Sequence, residues 1–549
     1  MSPKNLLPLL LLTLFASATA SEVSFQRNPV ELPPDTERML VADLNNDGRQ
    51  ELITVVGEKL RIYFQSSEGF DFGSGYSDIT FPGTAVGWDI APGLGKEPGT
   101  SIVALIDGRQ VLRWPVNGTQ VAEPEIMLAG LAGFLGKGVN RLHFSQDIND
   151  DGRMDLVIPA AGQLNLHLGK AAGGFEQSLS VRSNIRQRTN LNSRRLSWRT
   201  GQAITIPSLL LKDLNGDGLN DLESRSSEQL DVFIARDEAA RYFDAEPSYS
   251  LNILEIEERL GDFDIDQLDF SNLTGVLALT HEELLEDIDG DNIADLLLRE
   301  GGKVSVFGGT VEGMNLEQPR QVLRSGGNVL STFLYDENED GLKDLWLWRV
   351  ESISVGDIFM WLALSGSISI EAFIYHNEGE RFARRPARRI NVALTFPSVI
   401  RMASSYQDLS EQARNTQSDD IVPTSGAQLD DDPNRLDLVA LVGNRLDVFF
   451  NSITPEPGEE EFLGSLGYNR QRNDYEINLR ELIDNVSISN NPQLEAVAGR
   501  SPDISITLDA EVRNGDVIPL RLNADEQDDL LVFTSHSEER IEGVILLSR

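Results

Sequence analysis

Nine residues recur five times along this chain of 549 residues, and no other feature limits its fold so tightly. The copies are Asp43-Leu-Asn-Asn-Asp-Gly-Arg-Gln-Glu51, Asp147-Ile-Asn-Asp-Asp-Gly-Arg-Met-Asp155, Asp213-Leu-Asn-Gly-Asp-Gly-Leu-Asn-Asp221, Asp287-Ile-Asp-Gly-Asp-Asn-Ile-Ala-Asp295 and Asp336-Glu-Asn-Glu-Asp-Gly-Leu-Lys-Asp344. A repeat decides architecture before any single residue does, because each copy marks one small unit that buries its apolar face only against its neighbours.

Each copy carries side-chain oxygens at positions 1, 3, 5 and 9: Asp43, Asn45, Asp47 and Glu51; Asp147, Asn149, Asp151 and Asp155; Asp213, Asn215, Asp217 and Asp221; Asp287, Asp289, Asp291 and Asp295; Asp336, Asn338, Asp340 and Asp344. The main-chain carbonyl of position 7, from Arg49, Arg153, Leu219, Ile293 or Leu342, adds a further oxygen. Such a set suits a hard cation, and Ca²⁺ over Mg²⁺, because the ligands are many, anionic and flexible. Position 6 is Gly48, Gly152, Gly218, Asn292 or Gly341, the residue types that tolerate the left-handed backbone of a sharp turn. An EF-hand would need a glutamate at position 12, where this chain has Thr54, Ile158, Ser224, Leu298 and Leu347.

Short apolar runs follow the loops, such as Leu52 to Val56 and Leu296 to Leu298, and a second run alternates after a turn, as in Leu60-Arg-Ile-Tyr-Phe64 and Leu164-Asn-Leu-His-Leu168. That period of two means strands. The loops, the acid-Leu step into each strand and the pairs Gly69-Phe70 and Gly174-Phe175 resemble the FG-GAP or VCBS repeat proteins, similar to the propeller of integrin α chains. The resemblance implies an all-β propeller of four-stranded antiparallel blades, with calcium loops joining the first and second strands.

Weaker copies fill the gaps at Gly87 to Trp114, Asp430 to Phe450 and Leu520 to Leu547, and these three are expected to bind metal weakly or not at all. The count gives eight blades, or seven if one copy is only a hairpin insertion. The last copy has room for three strands, so Val23 to Leu32 is expected to supply its fourth and close the ring. Insertions are expected near 182–199, 250–275, 403–430 and 454–515, with 408–432 polar and mobile and 474–485 able to form a short helix. The apolar stretch Ile358 to Tyr375 is read as strands.

Lys4, the apolar run Leu6 to Phe15 and Ala18-Thr19-Ala20 have the layout of a secretory signal over residues 1–20, leaving 21–549 as a secreted or periplasmic product with no membrane span. The absence of cysteine leaves such a product to core burial and metal for its stability. A net charge of −40 disfavours nucleic acid and acidic membranes as partners. The protein is expected to act as a monomeric scaffold that recognises a protein or glycan. The alternatives are a lyase-like, calcium-dependent polysaccharide enzyme and a structural part of a cell-envelope assembly.

His143, His167, His281, His376 and His536 form no zinc-type spacing, and neither a nucleophile elbow nor a phosphate loop is present, so no catalytic residue is assigned. Two arginine groups, Arg182, Arg186, Arg188, Arg194, Arg195 and Arg199, and Arg384, Arg385, Arg388 and Arg389, are read either as internal partners for surplus acids or as a docking patch for an anionic ligand.

Overall fold

The computed structural model describes residues 23–549 apart from 34–35, 93–99, 134–138, 140, 161, 193–196, 206, 238–241, 262–268, 327, 416–421, 431, 433–434, 454–472, 479–490, 510–511, 513–514 and 535–540. The signal segment, residues 454–472 of the expected 454–515 insertion and His536 lie outside the described residues.

Among the described residues the chain forms eight sheets of four or five strands, antiparallel but for one strand added to the sixth, taken up almost entirely in sequence order. The first contains Thr36–Ala42, Glu51–Val56, Lys59–Tyr63 and Tyr76–Thr80, and the second is built on Ala85–Pro92, Thr100–Ile106, Gln110–Asn117 and Glu125–Ala129. The third runs Ser145–Gln146, Asp155–Ala160, Gln163–Gly169, Phe175–Arg182; the fourth, Ser208–Lys212, Asp221–Arg225, Gln229–Phe233, Tyr249–Asn252; the fifth, His281–Glu286, Asp295–Glu300, Lys303–Phe307, Gln321–Arg324. The sixth contains Asn328–Tyr335, Asp344–Val350, Gly366–Tyr375 and Arg388–Phe396, and the seventh Thr424–Ala427, Leu436–Val442, Arg445–Ile453 and Ile504–Thr507. The eighth combines Asp516–Leu520, Asp529–Thr534 and Ile541–Ser548 with Phe25–Leu32, which pairs in continuous antiparallel register from Phe25 opposite Ser548 to Leu32 opposite Ile541. The N-terminal stretch thus fills the open edge that the last copy leaves.

Side chains alternate across each strand, so both faces of an interior sheet carry apolar rows, and these rows meet those of the neighbouring sheets. Ile62 and Leu60 of the first sheet share a core with Ile102 and Trp114 of the second. Continuous cores likewise join the second sheet to the third, the third to the fourth, the fourth to the fifth, and the fifth to the sixth. The seventh and eighth share Val439, Val448, Leu530 and Val532, while Leu531 and Ile545 of the eighth pack with Leu52 and Tyr63 of the first. Between the sixth and seventh sheets the described apolar residues form two separate clusters, around Trp346 and around Phe449.

Because neighbouring strands are antiparallel, successive connections alternate between the two ends of a sheet. All five acidic loops join first to second strands, so they share one end. The other end carries the hairpin Asn184–Asn192 with Ser197–Thr205, and three helices: α1 (Ile253–Leu260), α2 (Val355–Ala363) and α3 (Val399–Asn415).

The helices revise three expectations. The start of Ile358 to Tyr375 is helical, because Ser354 and Asp357 form a reciprocal capping box that starts α2, and the strand begins only at Gly366. The segment expected to be mobile contains the end of α3 and the strand Thr424–Ala427, with 416–421 outside the described residues. Asp474–Asn478 is a strand, not a helix: it adds in parallel to the outer strand of the sixth sheet, where the free edge of Arg388–Phe396 offers backbone partners.

Candidate functional site

The five loops share one hydrogen-bonded frame. The Oδ2 of the first aspartate accepts from the position 6 amide: Gly48, Gly152, Gly218, Asn292 and Gly341 donate to Asp43, Asp147, Asp213, Asp287 and Asp336 over 2.8 to 3.0 Å. The fifth residue's Oδ1 accepts from the position 7 amide in each copy, for example Arg49 to Asp47 at 2.9 Å and Leu219 to Asp217 at 2.8 Å. Position 6 is left-handed throughout, with φ of 84° at Gly48, 75° at Gly152, 85° at Gly218, 65° at Asn292 and 89° at Gly341. Only a glycine or an asparagine takes that conformation at little cost, which is why the sequence has them there.

The ninth residue behaves differently. Glu51, Asp155, Asp221, Asp295 and Asp344 are buried. Each accepts the amide of position 2: Leu44, Ile148, Leu214, Ile288 and Glu337 donate over 2.7 to 3.3 Å. In the last four copies the other oxygen accepts an amide at or just past the end of the third strand, from Gly169, Ala235, Gly309 or Asn377. The carboxylate therefore ties the loop to the end of the adjacent third strand. Burial pushes the Glu51 carboxyl up to about 7 and those of Asp155 and Asp221 to about 6, with the nearby loop aspartates adding to the rise. Asp295 and Asp344 are raised for the same first reason.

Sequence reading alone misses this latch, which also operates outside the five loops. Asp437 accepts from Leu429 and Asn451, and Asp529 from Leu522 and Ser548, in two copies that have lost most of the ligand set. Burial raises both carboxyls. The signal was available: an acid followed by leucine stands at the start of the second strand of the seventh and eighth sheets, as Asp437-Leu438 and Asp529-Leu530, as it does after each of the five loops.

The donor set fits a hard cation. It is all oxygen, and Asn149 Oδ1 in the second loop and Asp289 Oδ1 in the fourth are buried acceptors with no hydrogen-bond partner. In the fourth loop one oxygen from each of Asp287, Asp289 and Asp291 lies within 4.8 Å of the others. Cationic side chains also approach the loops: Arg49 pairs with Asp47 and Arg153 with Asp151 within their own copies, and Arg320 reaches Asp289 and Asp295 from outside. Glu337, Asp344 and His376 form a second group beside the fifth loop, where Glu337 also pairs with Arg388 at 2.7 Å.

The remaining candidates disperse. His143 is exposed and 4.0 Å from Asp89, His281 contacts Glu283 at 2.5 Å, and His167 is buried with its pKa lowered by desolvation. Arg388 and Arg389 pair internally with Glu337 and Glu371, while Arg384 and Arg385 are exposed. The side chains of Arg186, Arg188, Arg194, Arg195 and Arg199 lie outside the described residues.

At the end opposite the loops, α2 and α3 pack together and leave apolar side chains in solvent. Phe359 is 67% exposed, Met360 56%, Leu364 63% and Ile400 65%. Among the described residues no helix is long and apolar enough to cross a membrane.

No family model matches the chain, and no curated protein matches it. Among solved structures, one concerned with specific recognition of non-reducing terminal N-acetylglucosamine by an Agrocybe aegerita lectin is 14% identical, with a TM-score of 0.26 over 64% of this chain and 79% of that one. Sqt1 of Saccharomyces cerevisiae is 10% identical, with a TM-score of 0.30 over 95% and 99% of the two chains. A Lactobacillus plantarum protein is 9% identical, with a TM-score of 0.20 over 77% and 92%. Likenesses this distant leave the architecture to be argued from the chain's own sheets.

Proposed function

We propose that the chain is an exported, eight-bladed β-propeller of the FG-GAP or VCBS kind, in which Ca²⁺ held by the acidic loops stiffens one end and the opposite end recognises a partner. Eight sheets in sequence order, the N-terminal strand in the last sheet and the core between that sheet and the first support one closed ring. The loops Asp43 to Glu51, Asp147 to Asp155, Asp213 to Asp221 and Asp336 to Asp344 would hold the ions through positions 1, 3, 5 and 9 and the position 7 carbonyl, and Asp287 to Asp295 carries the same donor types. Calcium supplies the positive charge that lets three or four carboxylates share one turn.

The observation that carries the recognition reading is the division of labour between the ends. Repeated loops occupy one, while α1, α2 and α3 lie at the other with Phe359, Met360, Leu364 and Ile400 exposed. Exposed apolar side chains on two packed helices favour a protein partner over a sugar. Replacing Phe359 and Met360 by serine should abolish co-purification of the partner from envelope extracts, with the melting temperature unchanged. An unchanged set of captured proteins would contradict the assignment of this end.

A further inference from the structure

We propose that the fourth loop, Asp287 to Asp295, takes the guanidinium of Arg320 in place of a metal ion, so that it is held together by a cation built into the fold. This rests on the calcium reading of the other loops for its contrast. Arg320 lies just before the fourth strand of the fifth sheet, outside the nine-residue copy. Its Nη1 donates to Asp289 Oδ2 and its Nη2 to Asp295 Oδ2 at 2.8 Å, so one side chain bridges positions 3 and 9 of the ligand set. The guanidinium is 25% exposed, against 16% for Asp289 and 3% for Asp295. Arg49 and Arg153, by comparison, each pair with the position 5 carboxylate of their own loop and are 37% and 42% exposed.

The fold makes room for this arginine. One residue before the latching amide, the second, third and fifth loops have Leu168, Ile234 and His376, whereas the fifth sheet has Gly308. Arg320 lies against it: a Cβ on Gly308 would sit 3.5 Å from Nη1 and 3.8 Å from Cδ, so a longer side chain would compete for the same space. The arginine also competes for Asp295 Oδ2, whose bond from the Ile288 amide is 3.3 Å, while the equivalent bonds in the other loops are 2.7 to 3.1 Å.

The competition is one an arginine can win. At about 1 mM calcium and a dissociation constant of about 0.1 mM, the metal-bound form of a loop is favoured only about tenfold. A tethered guanidinium making charge-assisted hydrogen bonds to two carboxylates need not be recruited from solution.

The test counts calcium ions bound per full chain by equilibrium dialysis. Arg320→Gln is expected to bind one ion more than the wild type, and the double variant Asp289→Asn/Arg320→Gln to return to the wild-type number. Gly308→Leu, which expels the side chain without altering its charge, is expected to gain the same ion and covers the case in which Arg320→Gln fails to fold. Equal numbers in the wild type and in the folded variants would overturn the proposal while leaving the other loops' calcium intact. Should the wild type bind none, the calcium reading of the other loops fails by itself, and a single ion gained by the variants still decides for Arg320.

Discussion

Asp151 and Asp155 stand four residues apart in the second loop and do separate work. Asp151 sits at the rim, paired with Arg153, whereas both oxygens of Asp155 are committed to backbone amides beneath it. Removing a buried acceptor from two amides costs about 3 kcal/mol whatever the metal does. Asp437 makes the same two bonds in a copy lacking the ligand set, so Asp437→Ala should lower stability by that amount equally in calcium and in chelator. Asp151→Asn should instead lower the melting temperature only when calcium is present. Thermal unfolding of the two variants in both buffers separates latch from ligand; identical behaviour would contradict the distinction.

The latch carboxylates also set a pH dependence. Their folded pKa values lie above the unfolded range of about 4, at about 7 for Glu51 and about 6 for Asp155 and Asp221, so between those limits the folded state holds more protons than the unfolded one. The latch carboxylates' contribution to the stability of the metal-free protein is therefore full below about pH 4 and is lost as pH rises through 6 to 7. Denaturant titrations in chelator at pH 5 and pH 7 check this, and a midpoint that rises toward pH 7 would contradict it.

Among the elements, the strand Phe25–Leu32 bears most on the architecture. Val30 and Leu32 are buried in the core shared with Leu52, Leu531 and Ile545, so the strand joins chain start to chain end through side chains as well as hydrogen bonds. Leu32→Ala should cost about 3 kcal/mol, as deletion of a buried leucine side chain does. Urea unfolding measures it, and a loss within 0.5 kcal/mol would mean that the strand does not close the ring. This strand and the second strands opening at Glu51 and Asp155 were legible in the sequence, because apolar alternation and the acid-Leu step are local signals. The helix α2 was hidden by its own composition. Ile358-Phe-Met-Trp-Leu362 reads as a buried strand, and only the capping pair Ser354 and Asp357 marks a helix start. Asp474–Asn478 was illegible for a different reason: its partner strand lies some eighty residues earlier, and no local pattern reports a long-range pairing. Arg320 was missed likewise, because its distance from the copy in sequence hides its contact with Asp289.

For the molecule as a whole, the net charge of −40 and the crowding of carboxylates at one end call for compensating cations. On the proposed reading, calcium in the loops of the first, third, fourth and sixth sheets and Arg320 in that of the fifth would stiffen that end. Crystals grown with calcium and measured at a wavelength where calcium scatters anomalously test this most directly. The account predicts anomalous peaks inside the loops of the first, third, fourth and sixth sheets, all at the end opposite α2 and α3. Maps with no peak in any acidic loop, or with those loops on opposite ends of the ring, would contradict it.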